Sequence, residues 1–447
     1  MSRWDLVVAG AGPAGCALAA KVSARGASVL LLEKSEEPGA GRDWIVDVEN
    51  SAFDAARVPA PVRGAVWHEP ARNVMSSSDG TCTIDLRPAP LTPVRNDLYV
   101  KQLCSWAYES GVRVRMGCRV SGPVIEEGHV CGVRTGADGG EEHLAALVAD
   151  CTGIGGTIRS KTPEDWGLFR AVSPDDIVLA RREVRAVDAD LAAAAVEAGV
   201  LPDRVRVDRT AAHGAYSVET TYLDLEAGYI DILVGIRPGE GNLHPDERFK
   251  QLLSEWGFIG DRMFGNGGPI PLRRPWDSLA GEGLLVLGDS ACQVIPAHGS
   301  GTASALIAAD LASTAVMSSL EKGIYDRAAL WGYSRAFQSS RGALLAYYDT
   351  LRTFVDSLSG EDVDALLKKG VLSADEVFSG LVPEEFRPGP GALLDKTIHG
   401  LSMPRLLARF ALVGLKARKV KRHFERYPES YSPGALARWA AGIPSYP

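Results

Sequence analysis

The sequence predicts an α/β protein built from a discontinuous parallel-sheet domain, an antiparallel sheet inserted into it, and a helical C-terminal region. Three observations carry this expectation. A strand, glycine turn, helix and second strand follow one another at the N-terminus. Longer strand patterns joined by short turns run from Glu164 to about Pro271. Helical patterning dominates after Ile324. The boundaries read as 1–60, 94–163 and 272–322 for the first domain, 61–93 and 164–271 for the second, and 323–447 for the helical region.

Composition narrows the function. The 447 residues are enough for two or three lobes, and 46% apolar with 23% charged residues describes a folded chain. A net charge of -8 gives no reason to expect nucleic acid. No run of eighteen apolar residues occurs, and no charged leader precedes the first strand, so a cytoplasmic location is expected. The seven cysteines (Cys16, Cys82, Cys104, Cys118, Cys131, Cys151 and Cys292) never adopt CxxC spacing. A zinc knuckle, an iron–sulfur cluster and a redox dithiol therefore lack support, and no metal site is expected.

The elements follow in order. Asp5–Ala9 is a short apolar run, read as a buried parallel strand. Gly10-Ala11-Gly12-Pro13-Ala14-Gly15 opens an Ala-rich helix ending near Gly26, and Val29–Leu32 is a second strand ending in Glu33. Gly10 permits the tight turn, Gly12 the close approach of a pyrophosphate, and Gly15 close helix–strand packing. The helix N-terminus offers N–H groups to phosphates, and Glu33 offers a carboxylate to ribose hydroxyls. The unit is a Rossmann-type dinucleotide-binding fingerprint.

Lys34 to about Pro93 reads as a polar stretch rich in Pro and Gly. A helix is expected over Asn96–Glu109, a strand over 111–114, and a β-meander over Val124–Ala149 with turns at Glu127-Gly128 and 136–140. Asp150-Cys151-Thr152-Gly153 follows. In the second domain, 216–223 and 229–234 form a hairpin about Glu226-Ala227-Gly228. Leu284–Leu287 is a buried strand running into Gly288-Asp289, with a helix from about Gly301. The helical region is expected to break at Gly360, Gly370 and the loop 387–391.

Three separated segments, Gly10–Gly15 with Glu33, Asp150–Gly153, and Gly288-Asp289-Ser290 running to Pro296-Ala297-His298-Gly299-Ser300-Gly301, resemble one flavoprotein pattern. It is that of the FAD-dependent oxidoreductases that include geranylgeranyl reductases, aromatic hydroxylases and flavin halogenases, and the geranylgeranyl reductase branch is the most similar. The resemblance spans roughly residues 4–320. It implies non-covalent FAD across the first domain, with Lys34 and Arg42 in the cofactor region, Arg95 near ribose and pyrophosphate, and Asp289 at the ribityl chain. It also implies that Pro296–Gly301 aims a helix N-terminus at the flavin ring, where reduction places negative charge. Asp289 also reads as a turn cap, and His298 equally as a hydrogen-bond donor or proton shuttle and as a solvent-facing side chain.

Departures limit the carry-over. Archaeal prenyl reductases carry Tyr-x-Trp-x-Phe-Pro where this chain reads Tyr229-Ile230-Asp231-Ile232-Leu233, and their Pro-x-x-Cys-Gly loop is replaced by Gly39-Ala40-Gly41-Arg42-Asp43-Trp44. The Trp-x-Trp-x-Ile-Pro string of the halogenases does not occur. Candidate reactive-site residues are Arg42, Asp43, Trp44, Tyr229, Asp231 and His298, with Tyr229 and Asp231 on one strand face. For Asp231 the solvent side of the sheet is the competing reading. Two chemistries stay open: hydride exchange with a carbon–carbon bond of a bulky apolar small molecule, and flavin-dependent hydroxylation of an aromatic or carrier-bound substrate. No second glycine unit follows a strand, so electrons are expected from transiently docked NAD(P)H or a reduced carrier protein. Between Arg405 and Arg426 eight basic residues face one acid, Glu425, a pattern that suits a membrane surface, an acidic carrier, or a solvated helix over the core. Trp331, Tyr333, Phe337, Tyr347, Tyr348 and Phe354 are either tunnel lining or helix core. The oligomeric state is not specified.

Overall fold

A computed structural model describes residues 3–67, 72–136, 140–168, 170–211, 217–239, 242–382 and 402–444. Among the described residues three sheets organise the chain. In the first, the strand order is Ala280–Gly281, Leu284–Val286, Glu142–Asp150, Trp4–Ala9, Val29–Leu32 and Arg113–Arg115, the last five parallel. Val29–Leu32 is buried throughout, as expected of a parallel strand covered on both faces. The helix Pro13–Ser23 packs on it between the helices Asn96–Glu109 and Thr302–Lys322, its alanines allowing close approach. The α/β class and its inserted sheet are as the sequence predicts, that sheet being antiparallel except where Val205–Thr210 runs parallel to Arg72–Ser76.

Register then places chemistry. Ala9 lies opposite both Leu32 and Asp150, and Asp150 opposite Val286. Four parallel strands therefore end level, and Gly10, Glu33 and Cys151, which follow three of them directly, emerge at one sheet edge with Gly288, two residues beyond Val286. That edge is where open α/β sheets bind ligands.

The second sheet runs Ile259–Pro271, Ile177–Val187, Tyr229–Ile236, Ser217–Asp224, Val205–Thr210, Arg72–Ser76 and Thr83–Leu86. A two-stranded ribbon, Ile45–Glu49 against Leu91–Arg95, stands apart from both sheets. The segment read as a polar stretch thus holds four strands and the helix Asn50–Ala55. Its strands are only four or five residues long, and the charges of Ile45–Glu49 find their ionic partners far away in the chain, so the local pattern hides them.

Gly360 starts a helix instead of breaking one: Ser359 and Asp362 form a capping box ahead of Gly360–Lys368. The six aromatics from Trp331 to Phe354 are core side chains and none lines the cavity described below. The meander turn at 136–140 lies partly, and the loop 387–391 wholly, outside the described residues, as does position 216 of the hairpin. Among the described residues one helix, Thr302–Lys322, is long and apolar enough to cross a membrane; most of it is buried against the first sheet and its helices.

Arg159 ties this architecture together from a fully buried position. Its guanidinium donates to the carbonyls of Ser290 (2.7 Å), Leu168 (3.1 Å), Ile154 (3.2 Å) and Arg170, and stacks over Trp276 at 4.7 Å. Arg159→Met keeps the volume and strands these carbonyls, so stability should fall by at least about 3 kcal/mol. A urea midpoint unchanged from the wild type would refute the bracing role.

Candidate functional site

The N-terminal turn is sterically fixed. Gly10 has φ +103°, and a Cβ there would lie 2.3 Å from the Cys151 carbonyl oxygen; one on Gly15 would lie 1.9 Å from the Gly10 oxygen. Gly12 caps the helix with extended backbone and no side-chain bond, and Pro13 follows, so the first-turn N–H groups stay free. Gly12, Pro13, Ala14 and Gly15 all line one cavity. The Arg42 guanidinium sits 3.4 Å from where a Gly12 Cβ would be, placing a cation beside the helix N-terminus. Glu33 is buried, accepting from the N–H groups of Ala11 (2.8 Å) and Ser35 (3.0 Å).

The second and third segments converge on the same cavity. Asp150 does not reach it: its carboxylate accepts from Thr152 N (3.0 Å) and Oγ1 (2.6 Å), Ile158 N (3.0 Å) and Arg159 N (2.8 Å). Asp150 and Thr152 shape the loop, while Cys151 and Gly153 line the cavity. Gly288 (φ +66°) and Asp289 line it opposite the glycine turn. Burial pushes the Asp289 carboxyl above its ordinary range, with Arg42 opposing. The turn is held from behind by Gln293, which accepts from Gly288 N (2.8 Å) and donates to the Tyr333 hydroxyl (2.8 Å), itself bonded to the Val286 carbonyl (2.9 Å). Sequence reasoning passed over Gln293 and read Tyr333 only as tunnel lining or helix core; a buried amide in a glycine-rich turn was the available signal.

His298, Gly299, Ser300 and Gly301 line the cavity at the start of Thr302–Lys322, whose N-cap Gly301 gives no side-chain bond. Pro296 is buried and stays off the lining. The Ser300 N–H donates to His298 Nδ1 at 3.4 Å. Burial lowers the imidazole's proton affinity, against the raising effect of Glu49 and Asp47. A neutral ring accepting at Nδ1 carries its proton on Nε2. That Nε2 is buried and has no hydrogen-bond partner among the described residues. The solvent-facing reading of His298 is thereby corrected.

Three expectations are relocated. Arg95 pairs with Asp97 at 2.8 Å and stacks 3.8 Å above Phe264, so its cation is engaged away from the cavity. Lys34 is exposed and outside the lining. Tyr229 is buried in an aromatic cluster with Trp67 (5.5 Å), Tyr222 (6.3 Å) and Phe264, where burial holds its phenol well above the ordinary range, and it does not line the cavity. Trp44 and Arg42 do line it, while Asp43 accepts from Gly265 N and Asn266 Nδ2, both at 3.3 Å.

The floor consists of charges of which sequence reasoning named only Asp231. Arg206 pairs with Asp47 (2.9 Å) and Asp208 (3.3 Å), and Arg182 with Asp231 (2.6 Å) and the Ile45 carbonyl (3.0 Å). Asp231 thus faces a buried partner rather than solvent. Burial alone would raise the Asp47 carboxyl; Arg206 and Arg182 overcome it and bring it down to about 2. Above the floor the walls are apolar: Leu86, Leu91, Leu233, Ile270, Val294 and Leu381.

These features fit FAD. Uncapped N-termini of two helices and Arg42 suit the pyrophosphate and the electron-rich ring edge, the glycine turn leaves room for backbone approach, and His298 Nε2 is a donor awaiting an acceptor. Bound there, FAD supplies or accepts a hydride. Known proteins agree. A family model described as FAD dependent oxidoreductase matches residues 5–159. The chain is similar to a digeranylgeranylglycerophospholipid reductase of Sulfolobus acidocaldarius, 25% identical over 98% of this chain and 96% of that protein. Among solved structures, a geranylgeranyl bacteriochlorophyll reductase-like protein of Thermoplasma acidophilum superposes with TM-score 0.72 at 16% identity, over 92% of this chain and all of that one. A flavin-dependent brominase superposes with TM-score 0.59 at 14% identity, over 90% of this chain and all of that one. At these identities the two structural likenesses establish the fold.

Two outcomes follow from the site. Asp289→Ala should purify folded but with FAD bound at least about tenfold more weakly, the loss of a charge-assisted hydrogen bond; a fully yellow variant would remove Asp289 from the cofactor contacts. The depressed Asp47 carboxyl contributes ~2 kcal/mol that is complete above its ordinary value of 3.8 and disappears as pH falls to about 2. The stability gap between wild type and Asp47→Asn should therefore close over that window; a gap constant with pH would place the effect elsewhere.

Proposed function

We propose that this chain, an FAD-dependent oxidoreductase, exchanges hydride with a carbon–carbon bond of a bulky, mostly apolar, isoprenoid-like substrate, in the direction of saturation. The observation that carries this is the apolar part of the cavity lining, where Leu86, Leu91, Leu233, Ile270, Val294 and Leu381 offer hydrocarbon surface. Such a surface holds a hydrocarbon segment by burial and leaves its position to shape. The Sulfolobus relative, a digeranylgeranylglycerophospholipid reductase aligned over nearly the whole chain, points the same way. Electrons reach the site from docked NAD(P)H or a reduced carrier protein.

The residues divide the labour. The glycine turn and Arg42 hold the diphosphate, Asp289 the polyol, and the 298–302 backbone faces the ring edge. His298 acts as a hydrogen-bond donor through Nε2. Serving as an acid would require protonated Nδ1, which would oppose the Ser300 N–H directed at it. Burial of the ring also disfavours the cation.

The decisive experiment mixes anaerobically reduced protein with a polyunsaturated isoprenoid lipid. Return of the yellow colour together with addition of a hydrogen pair to the lipid supports the proposal. Reoxidation that requires oxygen and yields a hydroxylated product supports the monooxygenase alternative. His298→Ala should slow turnover about a hundredfold, as removal of a preorganised donor does, with His298→Gln recovering part of it. A wild-type rate that falls as pH rises through the histidine range, with that dependence lost in His298→Ala, would identify an imidazolium acid instead.

A further inference from the structure

The helix Pro404–Glu425 has two unlike faces. Leu406, Val413, Ala417, Val420 and Phe424 are buried. Leu406 and Val413 pack with Phe354, Leu358 and Val363; Ala417 with Tyr347 and Tyr348; Val420 and Phe424 with Trp331, Tyr427 and Trp439. These contacts account for the inner face, so the helix is covered on one side only.

Ala408, Leu412, Leu415, Lys419, Arg422 and Arg426 recur every three or four residues on the opposite side, and all are exposed. Leu412 is 65% and Leu415 61% exposed, two of the largest apolar exposures among the described residues. Arg405 and Arg409 are exposed beside them. The outer stripe is therefore apolar at its centre and basic at both ends. The helix's single acid, Glu425, pairs with Lys421 at 2.6 Å, so the stripe is positive over its length of about 33 Å.

We propose that this stripe docks the enzyme on an anionic lipid bilayer, with the helix lying in the plane of the surface. Long basic side chains reach phosphates while Leu412 and Leu415 enter the boundary between headgroups and acyl chains. A folded acidic protein would match the arginines and lysines, but protruding leucines without a groove around them suit a fluid layer better. The helix is also close to the cavity. Ala417 rests on Tyr347 and Tyr348, Tyr348 donates to the Ser379 carbonyl, and Leu381 two residues on is part of the cavity wall. A bilayer under the stripe thus lies a few side-chain layers from the apolar wall. Docking depends on this surface alone, whatever the substrate.

The test is sedimentation of the full-length, FAD-loaded protein with phosphatidylcholine vesicles with and without phosphatidylglycerol. Binding should require the anionic lipid and be lost in high salt. Charge reversal at Lys419, Arg422 and Arg426 together should weaken it by at least about tenfold. Leu412→Ser with Leu415→Ser should weaken it while leaving the salt dependence. Flavin absorbance and thermal midpoint, unchanged in both variants, show that the fold is intact. Protein that stays in the supernatant with every vesicle, as a surface made for an acidic protein would, overturns the proposal. So does binding that the variants do not alter.

Discussion

The strand Ile45–Glu49 is the constraint on which the rest of the molecule depends. It belongs to neither large sheet, yet each major part of the chain bonds to it. The Ser300 hydroxyl donates to the Asp47 carbonyl at 2.7 Å, fixing the flavin-facing turn. Arg206 and Arg182 reach its Asp47 carboxylate and Ile45 carbonyl from the second sheet. Arg341, on a π-turn of the helical region, pairs with Glu49 and donates to Ser304 on the helix that follows the flavin-facing turn. Buried ion pairs add little net stability because desolvation offsets attraction, but an unpaired member is expensive. Their effect is therefore positional: only one arrangement of the three parts satisfies every charge.

A second constraint is made of backbone. The level ends of the parallel strands bring Gly10, Glu33, Cys151 and Gly288 to one edge, and two helices present uncapped N-termini there. Such an edge offers N–H groups and helix dipoles suited to a diphosphate and a charged ring edge, and these need no particular side chain. The side chains nearby are left to brace the loops. Asp150 accepts four hydrogen bonds from its own loop, and Gln293 and Tyr333 lock the turn before Asp289.

That difference decides what was legible in the sequence. Glycine turns and buried strands are local patterns, and Pro13–Ser23, Val29–Leu32 and Asn96–Glu109 appear where periodicity and punctuation put them. The residues of the charged floor are not local. Asp47 and Arg206 meet across 159 positions, and Arg341 and Glu49 across 292, so each alone reads as a surface charge. Their alternation with buried apolar residues in Ile45–Glu49 was the only sequence trace. Tyr229 failed for the opposite reason. Its strand was read correctly, but its side chain meets Trp67 and Phe264, contributed by segments whose placement no pattern in Tyr229–Ile236 reveals.

The paired floor also bears on what the cavity selects. Arg182 and Arg206 would be natural anchors for an anionic group, but each already holds a buried carboxylate, and Asp47, Asp208 and Asp231 together outnumber them. An incoming anion would have to displace a partner and leave it buried and unpaired, at a cost of several kcal/mol. Arg182 and Arg206 therefore shape the floor with their charges already paired. Recognition near the flavin then falls to the apolar wall and to His298 Nε2, a buried donor with no hydrogen-bond partner among the described residues. A hydrocarbon segment, with its polar end held outside the cavity, meets those conditions.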